Sequence, residues 1–193
     1  MTGTETMTDT TTTLDVLGYK AGTWVLDPAH SEVTFSLRHM MISKVRGEFG
    51  LKSATIEAPA NPLEAKVTAS VDAASISTGD QNRDNHLRSA DFFDVETYPT
   101  IDFVSTGVRY EGGDFLVDGD LTMHGVTKPV TFELEFGGFG TDPYGNYKAG
   151  ATAKAVINRE DFGLTWNAAL ESGGVLVGKD VTITLDLQGS IQA

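Results

Sequence analysis

Four histidines are the first residues with which this chain could carry out acid–base or metal chemistry. They are His30, His39, His86 and His124. No two of them have the spacing that brings a pair of imidazoles onto one metal ion. The chain also has no cysteine, which excludes thiolate ligands, thiol nucleophiles and disulfides. The sequence therefore predicts no metal site and no cofactor.

A serine nucleophile is poorly supported as well. His30 and Ser31 are adjacent in the sequence, and neighbouring side chains of an extended chain point to opposite faces. The chain contains no Gly-x-Ser-x-Gly segment, which would form the strained turn of a hydrolase. We interpret His30–Ser31 as a turn followed by the start of a strand, and we predict no catalytic residues and no enzyme activity.

Two cationic or titratable residues could instead meet a polar group of a ligand. His39 falls on the apolar side of an alternating segment, where it could contact a phosphate or could bond to backbone at the end of a strand. Arg88 lies in a predicted short helix close to Phe92, and its planar guanidinium fits phosphate oxygens. Its alternative is an internal ion pair with a nearby aspartate. The candidates for that pair are Asp84, Asp91 and Asp94.

The short helix is predicted from its start signal. Thr78–Gly79–Asp80–Gln81 has the form of a capping box, with Thr78 as N-cap and Gln81 reaching back. The helix then covers residues 82–90. It interrupts a chain that otherwise alternates between apolar and polar residues.

Alternation with a period of two is the main signal from Trp24 onward. Val33, Phe35, Leu37 and His39 share one parity, and similar runs recur to the C-terminus. This pattern predicts strands with one buried face, and hence an all-β sandwich or barrel. Long strands and the glycines at 47 and 50, which allow a strand to bend, favour an antiparallel barrel.

The apolar parity defines a set of inward-facing residues that either line a cavity or fill a core, and periodicity does not decide between the two. The set consists of Phe35, Leu37, Phe49, Phe103, Leu121, Met123, Phe132, Leu134, Phe136, Ile183 and Leu185. Trp166 could shield the mouth of such a cavity or belong to the core.

Composition limits the possible partners. The 193 residues carry a formal net charge of -13, which argues against nucleic acid and against unaided attraction to an anionic membrane. We predict a flexible Thr-rich leader at residues 1–20 and one barrel domain at residues 21–193. No secretion signal is recognised, since the first basic residue is Lys20. No apolar run is long enough to span a membrane. A cytoplasmic protein is expected, and a homodimer would form through barrel faces or loops.

Several segments together resemble one known family. In order along the chain they include Trp24–Ser31, Asp84–Asp94, Leu121–Val130 and Arg159–Gly163, of which Leu121–Val130 is the most distinctive. They are similar to the YceI-like, polyisoprenoid-binding family, and the resemblance extends from about residue 23 to the C-terminus. It implies a lipocalin-like barrel of about eight strands that holds a polyprenyl chain. Many members carry a secretion signal, and this chain departs from that pattern.

Three functions remain open at this point. A carrier or storage protein for an isoprenoid quinone, a polyprenyl phosphate or a similar lipid needs a continuous apolar cavity. An enzyme acting on such a lipid needs titratable groups that converge on a reacting atom. A ligand-free, partner-binding barrel would be filled. The resemblance favours the carrier, with the inward-facing residues, His39, Arg88, Phe92 and Trp166 as its ligand-binding residues.

Overall fold

A computed structural model describes residues 14–171 and 173–193 of the chain. Alternating segments form strands, as the sequence predicts. The strands are β1 (Gly22–Leu26), β2 (Glu32–His39), β3 (Ser43–Ala58), β4 (Lys66–Ser77), β5 (Thr100–Glu111), β6 (Asp114–Met123), β7 (Val126–Thr141), β8 (Tyr147–Asn158) and β9 (Asp180–Ile191). One α-helix, α1 (Gln81–Arg88), follows β4, and short 3-10 turns lie at Pro28–His30, Pro62–Glu64 and Arg159–Phe162.

The nine strands form a closed antiparallel barrel. Each strand from β3 to β8 pairs with the next in sequence. The strands β1 and β2 both lie between β3 and β9. They act as one strand interrupted by the turn at Pro28–His30, so the barrel wall is eight strands wide. The predicted antiparallel barrel of about eight strands with one short helix is confirmed, and closure leaves no unpaired edge among the described strands.

Tight turns connect β2 to β3, β5 to β6 and β6 to β7. β5 and β6 are joined by Gly112 and Gly113, whose φ angles are +61° and +95°. Two consecutive residues with positive φ give a turn whose twist matches that of paired strands, and glycine adopts it without steric cost. Such short connections keep the strands in register, and with them the alternation of inward and outward side chains.

The start of helix α1 differs from the prediction. Asp80 is the N-cap, because its side chain accepts a hydrogen bond from the backbone N–H of Arg83 at 3.0 Å. The hydroxyl of Thr78 instead donates to Asp84 at 2.6 Å. Both Thr78 and Asp80 are residue types that cap helices, and the sequence pattern did not separate two candidates only two positions apart.

The predicted leader is described only in part. Residues 1–13 lie outside the described residues, and the boundary at residue 20 stays a prediction. Within the described part, Tyr19 donates a hydrogen bond to the carbonyl of Pro59 at 2.6 Å, and the ammonium of Lys20 lies 3.6 Å from the ring centre of Tyr147. Both contacts lie at the end of the barrel where β3 ends and β8 begins.

The two ends of the barrel differ. β2 and β4 end, and β5 and β9 begin, at the end that also carries α1. We call this end the helix rim. Tyr144 and the turn between β7 and β8 lie at the opposite rim. Within the described residues, no helix combines the length and the apolar character needed to cross a membrane.

Candidate ligand cavity

The barrel encloses a cavity of about 560 Å³, a volume within the range of small-molecule binding sites. Its wall is built from inward-facing side chains of the strands, because every second residue of a strand points into the barrel. The predicted residues that line it are Phe35, Leu37, His39, Phe49, Phe92, Phe103, Leu121, Met123, Phe132, Leu134, Trp166, Ile183 and Leu185. Whether they bind a ligand stays a prediction.

Arg88 is not part of the cavity wall. Its guanidinium donates hydrogen bonds to the backbone carbonyls of Ala74 and Ile76, both at 2.8 Å, and to the side chain of Asn85 at 3.2 Å. The placement fits neither a diphosphate contact in the cavity nor an ion pair with a neighbouring aspartate. Arg88 therefore fastens helix α1 to strand β4.

Phe136 also lies outside the cavity wall, although it shares a parity with Phe132 and Leu134. Its ring packs against Phe115 and Phe139, with centroid distances of 5.4 and 5.3 Å. This cluster lies towards the opposite rim, past the end of the cavity. Strand parity specifies the face of a residue but not its height along the barrel, and the predicted set therefore included Phe136, whose role in ligand binding stays a prediction.

Aromatic side chains continue from the wall to the helix rim. Phe49 contacts Phe35 and Phe93, with ring centroids 5.5 Å apart in each pair. At the rim, Trp166 lies 4.8 Å from the ring of His86 and 5.3 Å from that of Phe92. Trp166 thus borders the mouth of the cavity, one of the two places considered for it.

Polar side chains gather at the helix rim. His39 at the end of β2 lines the cavity together with Asn82, Arg83 and His86 of helix α1. His86 contacts Asp91 at 2.8 Å. A ligand with one apolar and one polar part would therefore be accommodated with its apolar part inside and its polar group at this rim.

Arg159 is a buried cation at the cavity that the sequence analysis did not select. It is 3% exposed. Its guanidinium donates to the carbonyls of Leu164, Gly178 and Val177, at 2.6, 2.8 and 3.3 Å. Burial lowers the pKa of Arg159, because desolvation penalises the charged form. Its hydrogen bonds fix the segment between β8 and β9 that borders the cavity.

Asn167 also stabilises the segment between β8 and β9, by joining two parts of it. Its amide donates to the carbonyl of Val177 at 2.7 Å and accepts from the backbone N–H of Val177 at 3.0 Å. Leu164, Leu176 and Val177 of this segment line the cavity. The segment has no hydrophobic period, so no pattern in the sequence pointed to these residues.

Further lining residues were missed although their strands were predicted. They have the same parity as apolar residues already recognised in the same strands, so extending that pattern along each strand would have identified them. They include Val45, Leu51, Val67, Ala69, Val71, Ile101, Val181 and Leu187. Ile56 also lines the cavity, but it follows an irregularity in the pairing of β3 with β4 that shifts the parity.

The described residues offer little for metal chemistry. They contain no group of three or more histidine, aspartate or glutamate side chains close enough to hold a metal ion. The titratable side chains that line the cavity are Arg38, His39, Arg83, His86, Asp102 and Arg159, and most of the other lining side chains are apolar. The arrangement is suited to enclosing an apolar molecule.

Comparison with known proteins agrees with this architecture. Residues 24–189 match the family model of the YceI-like domain. A UPF0312 protein of Staphylococcus aureus (strain MSSA476) is 39% identical over 170 residues, which is 87% of this chain and 97% of the relative.

Two solved structures have the same fold. The crystal structure of Burkholderia cenocepacia BcnA aligns with a TM-score of 0.73 and 25% identity, over 84% of this chain and 98% of BcnA. A polyisoprenoid-binding domain from Saccharophagus degradans, implicated in plant cell wall breakdown, aligns with a TM-score of 0.66 over 88% of this chain and 98% of the domain. Its identity is 18%, so this second likeness concerns the fold alone.

Proposed function

This chain belongs to the YceI-like family, and from that premise we propose that it holds the apolar chain of an isoprenoid-type lipid inside its barrel, as a carrier or storage protein. The observation that carries the proposal is the apolar cavity of about 560 Å³. A filled, ligand-free barrel would have no such space. The polyisoprenoid-binding domain of S. degradans has the same fold, which supports an isoprenoid as the ligand class.

The physical basis is removal of apolar surface from water. An isoprenoid chain has no polar group, so its binding free energy comes from burial, at ~25 cal/mol per Å². Phenylalanine, leucine and valine side chains provide a matching wall. The polar side chains at the helix rim would meet a head group, such as a phosphate or a quinone ring, that keeps contact with water.

The test is mass spectrometry of organic extracts from the gently purified protein. We expect a stoichiometric isoprenoid lipid in extracts of the native chain. Ala69 is only partly buried and lines the cavity, so Ala69→Phe should occupy that space and lower the amount of lipid. Ala74→Phe is the matched control, because Ala74 is an exposed residue of the same strand.

The outcomes separate the alternatives. A native extract without lipid, together with no binding of added polyprenyl lipids, would favour the ligand-free, partner-binding barrel. Equal lipid in the native chain and in Ala69→Phe would place the lipid outside the cavity. The absence of catalysis stays a prediction, and conversion of an added isoprenoid lipid that is lost in His39→Ala would contradict it.

A further inference from the structure

The hairpin between β2 and β3 stands at the helix rim and exposes three apolar residues in a row. Met40, Met41 and Ile42 form its tip, and their exposed fractions are 43%, 58% and 79%. His39, directly before the tip, lines the cavity. We call residues 38–46 the mouth hairpin. Its apolar tip is thus continuous with the end of the cavity that carries the polar groups.

The tip is held in one conformation. The N–H of Met40 donates to the carbonyl of Leu176 at 2.8 Å, and the N–H of Gly178 donates to the carbonyl of Arg38 at 2.9 Å. Met40 and Met41 have φ angles of 53° and 62°, a left-handed conformation that long side chains rarely adopt. A turn chosen only for hairpin stability would favour asparagine or glycine at these two positions, so the preference of the turn does not account for the two methionines.

Cations without acidic partners flank the tip. Arg38 lies opposite Lys44 in the pairing of the two strands, and Arg46 follows Lys44 by two residues on β3. Arg38 also reaches the edge of the cavity. All three side chains are exposed. Like charges directly opposite each other repel. Within the part of the chain that the structure describes, no carboxylate lies within ion-pair distance of these three cations.

The mouth hairpin is positively charged, although the chain as a whole carries a negative net charge. The formal net charge is -13, whereas residues 38–46 contain three Arg or Lys residues and no Asp or Glu. Salt screens charges beyond about 8 Å at physiological ionic strength. A surface that touches the mouth hairpin would therefore experience mainly its positive charge and little of the distant acidic surface.

We propose that the mouth hairpin docks the protein on an anionic phospholipid bilayer. Met40, Met41 and Ile42 enter the interface, and Arg38, Lys44 and Arg46 contact lipid phosphates. Apolar side chains combined with cations are the usual elements of interfacial membrane binding. The inference rests on the proposed function in one respect, because docking would place the cavity mouth where an isoprenoid chain could enter without crossing water.

The test is co-sedimentation of the full chain with vesicles. One set contains phosphatidylglycerol and phosphatidylcholine in equal parts, and the other contains phosphatidylcholine alone. We expect binding to the anionic vesicles that weakens with salt. Arg38→Gln/Lys44→Gln and Met41→Ser/Ile42→Ser should each weaken it roughly tenfold or more.

Matched controls test whether an effect depends on where the changed residues lie or only on the kind of side chain removed. Lys52→Gln/Lys154→Gln removes the same charge from exposed strand positions outside the hairpin, and Tyr144→Ser removes an apolar side chain that is 89% exposed at the opposite rim. These variants should bind like the native chain. Docking is overturned if the native chain ignores anionic vesicles, or if controls and hairpin variants lose binding equally. It is also overturned if the hairpin variants change only a monomer–dimer equilibrium, which would make the tip a contact between copies.

The docking proposal and the proposed function can fail separately. Ala69→Phe should lose cavity lipid but bind vesicles normally. Vesicle binding without any extractable lipid would leave docking supported and the carrier function overturned. Extractable lipid without vesicle binding would support the carrier function and overturn docking.

Discussion

Gly47 is an inward-facing position of β3 where any side chain would collide with the cavity wall. A Cβ atom there would overlap the ring of Phe35, its cross-strand partner, and would lie 2.9 Å from Cγ2 of Thr78. The ring covers the glycine backbone, an arrangement that stabilises glycine within strands. The side chain of Phe35 therefore keeps its position in the wall because residue 47 has none.

We predict that Gly47→Ala lowers the stability by about 1–3 kcal/mol, the usual cost of overpacking, and also weakens ligand binding because Phe35 is pushed into the cavity. Urea denaturation and lipid titration measure the two effects. Gly50→Ala is the control on the same strand, since its Cβ would lie 3.4 Å from Oγ of Ser75, an ordinary van der Waals distance. Equal effects of both substitutions would contradict the role given to Phe35.

At the residue scale, the sequence indicated which face of a strand a side chain occupies, but not how far along the barrel axis the residue lies. The parity of Ile183 and Leu185 was sufficient to place them on the cavity wall. Phe136 has the correct parity, but it lies too far along β7. Arg88 was selected for its chemistry, and its guanidinium is used by backbone carbonyls that only the folded chain brings within reach. Contacts of this kind join distant segments, so they leave no local pattern.

Helix α1 is attached to the barrel through Arg88. The hydrogen bonds to Ala74 and Ile76 join the last turn of the helix to β4, and Asn82, Arg83 and His86 of the same helix border the cavity. A hydrogen bond from a charged donor contributes about 1.5–3 kcal/mol. The position of one side of the cavity mouth thus depends on this side chain.

We predict that Arg88→Gln speeds amide hydrogen exchange in Gln81–Arg88 by roughly tenfold or more, while exchange in β8 is unchanged. Arg88→Lys should restore little, because an ammonium cannot reproduce the planar fork of the guanidinium. A different result, in which Arg88→Gln leaves exchange unaltered but selectively weakens binding of phosphorylated lipids, would restore the head-group role first considered for Arg88.

An ion pair joins three neighbouring strands on the outer face of the barrel. Arg109 of β5 donates to Asp118 of β6 at 2.6 and 2.9 Å, and Thr131 of β7 donates to the same carboxylate at 2.6 Å. These hydrogen bonds, chiefly that of Arg109, hold the pKa of Asp118 at about 2. Because this value is below that of an unfolded aspartate, the carboxylate stabilises the fold above about pH 4 and loses this effect as the pH falls towards about 2.

We predict that Asp118→Asn lowers the melting temperature by roughly 2 °C at neutral pH, a small effect because the pair is partly exposed. The difference from the native chain should disappear as the pH falls from about 4 to about 2. Thermal unfolding followed over this pH series is the measurement. Asp120→Asn changes an exposed aspartate of the same strand and serves as the control. A difference between native chain and Asp118→Asn that stays constant down to low pH would contradict the assignment.

At the scale of the whole molecule, alternation predicted the barrel, whereas only the family resemblance favoured a hollow interior. Alternation requires one face of every strand to be buried, and it is the same whether that face meets other side chains or empty space. Closure depends on the pairing of β3 with β4 and of β1 and β2 with β9, which no single segment encodes. The cytoplasmic location and the homodimer stay predictions.

The volume of the cavity should determine the length of the isoprenoid chain that it accepts. Each added isoprene unit buries more apolar surface, so affinity should rise with chain length at ~25 cal/mol per Å². It should level off once the space of about 560 Å³ is full, because further units remain in water. Calorimetric or fluorescence titration with isoprenols of increasing length would show the break in slope.

The ligand length at which this break occurs is the strongest test of where the isoprenoid chain lies. Ala69→Phe reduces the free volume, so the plateau should begin at a shorter isoprenol, whereas Ala74→Phe should leave it unchanged. Below the plateau, both variants should match the native chain, since short ligands do not reach the added ring. Affinity that is independent of length would indicate binding through the head group alone. A rise that continues without a break would place the chain on an open surface rather than within the barrel.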